Sequence, residues 1–264
     1  MRAITAMSND IRRCIRGVLT DIDDTLTTDG VLTAEAYSAL ARIKHAGLLM
    51  IPITGRPAGW CDHIARMWPV DAVVGENGAF YFRYDGEHKR MLRRFVYSDA
   101  QRKEQRERLI ELGYRILAEV PGAALASDQH YRESDLAIDY CEDVPRLAPA
   151  EVARIVELFE SHGATAKISS IHVNGWFGDF DKLSMTRILM QECFDTDIDR
   201  CRGSFVFVGD SPNDCPLFRH FSNSVGVANI GEFSASLEFA PAYVTKGSSG
   251  AGFTEVADLL LRAR

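Results

Sequence analysis

Short apolar runs alternate along this chain with stretches in which apolar positions recur every three or four residues. The segments GVLTDI (17–22), LLMIPIT (48–54) and DAVVG (71–75) read as buried strands, separated by helical patterns over about 33–45 and 58–67. The rhythm returns near the end with a helix over about 182–193, the strand SFVFVGD (204–210), a helix from Asn213, the strands NSVGVA (223–228) and AYVT (242–245), and a helix over 251–262. Alternation of this kind predicts an α/β fold in which a parallel sheet is wound with helices on both faces, a doubly wound, Rossmann-like core built from the two ends of the chain.

The middle has another pattern. Strands near 79–84 and 91–97, a charged helix over about 99–117, the strand DLAIDY (135–140), a helix over 148–163 and the strand ISSIHVN (168–174) predict an α+β sheet with helices on one face. Residues 85–177 therefore read as an inserted cap domain between core segments 1–84 and 178–264. Glycines in ENGAFYFRYDGEHK and NGWFGDFDK flank it, where the chain can turn sharply. The first dozen residues read as a loose tail, with Met7 as an alternative start.

With 264 residues and 46% hydrophobic content the chain can bury a substantial core. A formal charge of −7 argues against general affinity for nucleic acid or an anionic membrane and points to a small-molecule partner. Six scattered cysteines without a CxxC pair fit reduced thiols in the cytoplasm and no structural zinc. Residues 1–17 read as carrying no export signal, and no apolar run reaches the ~18–20 residues a membrane span needs. The pattern leaves the oligomeric state open.

Ligands of open parallel sheets sit outside the carboxyl ends of the strands, and here those ends deliver a consistent set. GVLTDID supplies Asp21 and Asp23; LLMIPITGR supplies Thr54, Gly55 and Arg56; SFVFVGDSPND supplies Asp210, Ser211, Asn213 and Asp214. Lys182 opens the helix that returns from the insert. Carboxylates this close repel unless a cation offsets them. Several carboxylates with a nearby hydroxyl and ammonium suit Mg2+ together with phosphate oxygens, the arrangement phosphoryl transfer requires. An aspartate can itself be the nucleophile, splitting a hard hydrolysis into two easier steps. In isolation DIDDT could also be an N-capping cluster, GSSGAG (247–252) is a turn that lacks the lysine of a phosphate loop, and RKEQRERLIE (102–111) is a solvated helix.

DIDDT (21–25), ITGR (53–56), Lys182 in DFDKLSM and GDSPND (209–214) occur in an order and spacing that resemble the haloacid dehalogenase superfamily of phosphatases, and the insert after ENGA (76–79) resembles the larger cap of its subfamily IIB. That subfamily includes sucrose-, trehalose- and mannosylglycerate-phosphate phosphatases and the related phosphomannomutases. The resemblance implies that Asp21 attacks phosphorus, that Asp23 protonates the leaving oxygen and then activates water, and that Thr54 and Lys182 grip phosphoryl oxygens. It further implies magnesium held by Asp21, the Asp23 carbonyl and Asp210, with Asp214 either a further ligand or bonded behind the ligands. Asp24 stands where subfamily IIB commonly has glycine, and Leu183 where glycine often follows the motif lysine. In the cap, HYRESD (130–135) and SSIHVNGW (169–176) offer Arg132, Ser169, His172 and Asn174 as leaving-group contacts, with Gly55, Arg56 and Asn213 on the core side. The expected activity is hydrolysis of a small phosphorylated metabolite, a sugar phosphate first among them; a phosphomutase and a catalytically silent binding or regulatory homologue are the competing readings.

Overall fold

The computed structural model describes residues 1–235 and 237–264. In chain order the strands are β1 (Arg2–Ala3), β2 (Gly17–Thr20), β3 (Thr27–Thr28), β4 (Val31–Leu32), β5 (Leu49–Pro52), β6 (Val73–Gly75), β7 (Phe80–Asp85) and β8 (Arg90–Phe95). They continue with β9 (Ala124–Leu125), β10 (Leu136–Asp139), β11 (Thr165–Ile168), β12 (His172–Trp176), β13 (Phe205–Gly209), β14 (Asn223–Gly226) and β15 (Tyr243–Val244). The helices are α1 (Asn9–Cys14), α2 (Ala34–His45), α3 (Ala58–Met67), α4 (Asp99–Glu119), α5 (Pro149–Ser161), α6 (Lys182–Phe194), α7 (Cys215–His220) and α8 (Ser249–Leu261).

Six parallel strands in the order β1-β15-β14-β13-β2-β5 form the central sheet. Their side chains alternate between two apolar clusters, as a sheet covered on both faces requires. Val18, Met50, Val206, Val208 and Val225 pack with Leu40, Ile43, Ile64, Phe253 and Val256 of α2, α3 and α8. Leu19, Ile51 and Phe207 face Met185, Leu189, Leu217 and Phe218 of α6 and α7 on the other side. The doubly wound core is thus the one the apolar runs predict.

Beyond β5 a parallel bridge between Ile53 and Val74 brings in β6, and β7 and β8 continue from it as antiparallel neighbours. Phe80 and Phe82 belong to the first apolar cluster, with Phe95 packed against it. The strand expected at 79–84 therefore pairs with β6, and the one expected at 91–97 pairs with that strand in turn. A separate antiparallel sheet, β11-β12-β10-β9, carries α4 and α5 on one face over a third cluster that includes Leu112, Ile116, Ile138, Ile155, Phe159 and Val173.

Two expectations change. The N-terminal residues are not a loose tail: β1 pairs with β15, Ile4 and Met7 are buried in the first cluster, and Ser8 caps α1 by accepting the Ile11 N–H. The single strand expected at 168–174 is a hairpin, β11 and β12, because Ser169 Oγ accepts the N–H of His172 at 3.0 Å and donates to its carbonyl at 3.1 Å, turning the chain. All six cysteines are free thiols. No helix among the described residues is long and apolar enough to cross a membrane.

Candidate active site

Register alone gathers the first site residues. Thr20 of β2 lies beside Val208 of β13 and Pro52 of β5, so the chain leaves the sheet at one edge through Asp21, Asp210 and Thr54. The Asp21 N–H donates to the Val208 carbonyl at 2.9 Å and the Ile53 N–H to the Thr20 carbonyl at 2.8 Å, which locks that alignment.

Lys182 reaches the same point from across the chain. It is the first residue of α6, which Asp181 caps by accepting the Ser184 N–H at 2.6 Å. Gly78, at φ +107°, lets its loop press against this helix start, where a Cβ would lie 2.0 Å from the Asp181 carbonyl oxygen. The Lys182 Nζ donates to Asp21 Oδ1 and to Asp214 Oδ1, each at 2.8 Å, and all three residues are buried. Asp214 also accepts the Asp210 N–H at 3.2 Å, an approach open because Gly209 lacks a Cβ, which would stand 2.3 Å from Asp214 Oδ2. The Thr25 hydroxyl donates to Asp210 Oδ1 at 3.0 Å.

Asp21, Asp210 and Asp214 each place an oxygen within 4.8 Å of the others. Burial pushes Asp21 up to about 8, against the attraction of Lys182 and with the repulsion of Asp214 and Asp23. Burial, with Asp21 and Asp214 behind it, also raises Asp210 well above the carboxylate range. For Lys182 burial works against the charge, but Asp21 and Asp214 outweigh it and raise its pKa. Three buried carboxylates facing one ammonium leave an excess of negative charge in an all-oxygen donor set, which fits a hard divalent cation such as magnesium.

Asp23 faces the other way, toward the inserted sheet. Arg56 holds it with Nε and Nη2 at 2.9 and 2.8 Å from Asp23 Oδ1. The same guanidinium lies 2.8 Å from Glu142 Oε1 and 3.4 Å from Asp128 Oδ2, with its carbon 4.5 Å from the centre of the Trp60 ring. Burial alone would lower the Arg56 pKa, but Asp23 and Glu142 overcome it and raise it.

The inserted sheet turns its second face to this point. Leu136, Ile138 and Val173 enter the apolar cluster, so the period of two sends Asp139, His172 and Asn174 to the opposite face, where all three are buried. The cleft between the two units, about 310 Å3 including its mouth, is lined by Asp21, Asp23, Gly55, Arg56 and Asn213 from one side and by Arg132, Ser169, Ser170, Ile171, His172 and Asn174 from the other. Thr54, Lys182, Asp210 and Asp214 lie buried behind it, Thr54 accepting the Arg56 N–H at 3.0 Å.

The inserted-sheet residues do different things. Arg132 spends its guanidinium on Asp128 (3.1 Å), Asp135 (3.0 Å) and the Gly55 carbonyl (2.8 Å), tying the two units together. Asn174 donates to Asp135 at 3.0 Å, and Ser169 shapes the hairpin turn. His172 Nε2 lies 2.8 Å from Glu142 Oε2.

Sequence reading missed Glu142, Asp128 and Glu76. Glu76, of the ENG segment, is fully buried and accepts the N–H groups of Ala58 (2.9 Å), Glu133 (2.9 Å) and Ser134 (2.6 Å), so a core carboxylate grips inserted backbone. Burial and Asp135 push it up to about 8, against Arg132. The available signal was position: Glu76 follows the end of β6, and Glu142 follows the end of β10.

Residues 18–128 match the family described as haloacid dehalogenase-like hydrolase. The chain is 26% identical over 248 residues to a phosphoglycolate phosphatase of Archaeoglobus fulgidus, covering 93% of this chain and 96% of that one. Among solved structures it is similar to a protein of Thermoplasma acidophilum (TM-score 0.69, 18% identity, 94% of this chain and 98% of that one). It is also similar to the sucrose-phosphatase of Synechocystis, solved with sucrose and phosphate (TM-score 0.61, 16% identity, 93% and 98%). At these identities the structural likeness bears on the fold, and the fold is shared along nearly the whole chain.

Proposed function

We propose that the chain is a phosphatase of the haloacid dehalogenase-like hydrolases, a magnesium-dependent phosphomonoesterase acting on a small phosphorylated metabolite. The observation that carries this reading is the buried triad of Asp21, Lys182 and Asp214, brought to 2.8 Å contacts from positions 161 and 32 residues apart. In it a nucleophile, a cation and a further carboxylate meet where a parallel sheet opens.

In this mechanism an Asp21 carboxylate oxygen attacks phosphorus in line as the bond to the leaving oxygen breaks, and Asp23 gives that oxygen its proton. Water then attacks phosphorus, returns a proton to Asp23, and frees Asp21 and inorganic phosphate. Lys182 pairs with Asp21 at rest and with phosphoryl oxygens during transfer, and Thr54 with Gly55 and Asn213 supplies further contacts. Asp21, Asp210 and Asp214 with the Asp23 carbonyl would hold magnesium, which when bound neutralises charge on the phosphoryl group. Within the insert read at 85–177, the part after β8 acts as the cap, placing His172, Ser169, Asn174 and Arg132 across the cleft from phosphorus. The phosphoglycolate phosphatase and sucrose-phosphatase relatives mark a range from small phosphorylated acids to sugar phosphates.

The test is inorganic phosphate release from 2-phosphoglycolate, sugar phosphates, glycerol 3-phosphate and acetyl phosphate, with magnesium or EDTA, for wild type and Asp21→Asn. Magnesium-dependent release that the variant loses is expected; release equal in both proteins would overturn the assignment of Asp21.

A further inference from the structure

Arg56 is the joint between the two sides of the cleft, and its geometry leaves a question. The Arg56 guanidinium carbon lies 4.5 Å over the centre of the Trp60 ring, a contact that holds the cation at that distance but does not set its rotation, so its orientation depends on the carboxylates around its rim. Near the core that rim meets Asp23 Oδ1 at 2.8 and 2.9 Å. Nη2, the nitrogen 2.8 Å from Asp23, also meets Glu142 Oε1 of the inserted unit at 2.8 Å, whereas Nη1 meets Asp128 at 3.4 Å, a carboxylate already engaged with Arg132 at 3.1 Å. Glu142 is therefore the tight outer anchor.

Glu142 is itself held in place. Its N–H donates to Asp139 Oδ1 at 2.7 Å, the same carboxylate accepts the N–H groups of Cys141 at 2.9 Å and Asp143 at 2.8 Å, and its own second oxygen lies 2.8 Å from His172 Nε2. The loop after β10 is thus rigid at the point where it reaches Arg56. An ion pair on a mobile surface loop would not be built in this way.

The geometry points to Glu142 as a positioning residue that acts through Arg56 on Asp23: from the inserted unit it fixes Nη2, the guanidinium nitrogen that it shares with Asp23 and that orients the carboxylate facing the cleft. The inference rests on the reading of Asp23 as the group that hands a proton to the leaving oxygen. With Glu142 in place Asp23 is aimed, and the aim depends on the inserted unit being seated on the core. Loss of Glu142 leaves Arg56 over the Trp60 ring but without its close contact to the inserted unit, so the guanidinium can turn with Asp23 and proton delivery suffers while the attack by Asp21 does not.

That difference has a readout a purely structural tie would lack. Acetate departs from acetyl phosphate as a stable anion without needing a proton, whereas an alkoxide must be protonated as it leaves. In Glu142→Ala, kcat/KM for the fastest alkyl phosphate among those substrates is expected to fall about tenfold or more, while kcat/KM for acetyl phosphate changes less than about threefold; kcat/KM reads only the steps through transfer to Asp21, before the water step that both substrates share. Glu142→Gln keeps an acceptor oxygen without the charge and shows the same selectivity at smaller amplitude; it carries the comparison alone if the alanine variant does not fold. Equal losses on both substrates, or none on either, would overturn the role of Glu142 while the phosphatase reading stands. A wild-type protein that releases phosphate from neither would overturn both.

Discussion

A buried ammonium between two buried carboxylates is costly to assemble and costlier to break. Lys182 is 4% exposed, and Asp21 and Asp214 have no other cation at hydrogen-bond distance among the described residues. Lys182→Met would leave both carboxylates uncompensated, and a loss of about 3–5 kcal/mol in urea unfolding is expected, together with loss of phosphate release. Glu142 makes a different kind of contribution. Burial opposes its charge, yet His172 and Arg56 outweigh burial and hold its pKa down at about 2, below its ordinary 4.5. A carboxyl depressed in the folded state stabilises fully above its unfolded pKa, and that stabilisation disappears as pH falls through the folded value. The urea midpoint of wild type should therefore exceed that of Glu142→Gln at pH 6, with the gap narrowing between pH 4.5 and 2; a gap that widens on acidification would contradict the pairing. Asp21, Lys182 and Asp210 were legible because each stands in a motif at a strand end or helix start. Glu142 was not, since its value comes from an arginine 86 positions away and nothing in CEDVPR marks that contact.

Elements carry their own constraints. The ENG segment threads between β6 and β7 with Gly78 at φ +107°, and a Cβ there would meet the backbone oxygen of Asp181 at 2.0 Å. Since α6 begins at that contact, Gly78→Ala must displace either the loop or the helix start bearing Lys182. A loss of about 2–4 kcal/mol in stability and a fall in turnover are expected, measured by thermal unfolding and phosphate release. Gly86, where an added Cβ would have nothing within 4 Å and the backbone is not left-handed, is the control, and Gly86→Ala should melt within about 0.5 kcal/mol of wild type. The long amphipathic helices and the buried parallel strands were legible at this scale because their periods are local. The hairpin within 165–176 was not, because the alternation of Ala166 and Ile168 resumes at Ile171 and Val173 after only two serines, an interruption too short to read as a reversal, and the turn is closed by the Ser169 hydroxyl bonding across three residues. The N-terminal segment was misread for a related reason: Ile4 and Met7 form too short an apolar pattern to register, and burial comes only from pairing with β15 at the other end of the chain.

At the scale of the molecule, the doubly wound core followed from the rhythm of the sequence, but the partners of β7 and β8 could not, because strand pairing between distant segments is decided by the edge that β6 offers. The two units then meet across a polar seam, with Glu76 holding inserted backbone and Arg132 holding the Gly55 carbonyl, so the cleft is walled from both sides. Its floor remains overcharged. Asp210 is 1% exposed beside Asp21 and Asp214, and repulsion among them opposes folding unless a cation is bound. Magnesium at about 100 times its dissociation constant would add about 2.7 kcal/mol to the folded state. For a domain of this size that raises the melting temperature by roughly 5–10 °C. Asp210→Asn removes a carboxyl that without a cation must either bear a buried charge or hold a proton, while keeping an oxygen for the Thr25 hydroxyl, so the metal-free variant should melt at or above the metal-free wild type and show little response to magnesium. Differential scanning calorimetry with magnesium and with EDTA reads both effects at once. A magnesium shift of the same size in wild type and variant would place the ion elsewhere, and a metal-free variant well below wild type would mean that Asp210 stabilises the fold, leaving its charge without the cost that binding a cation relieves.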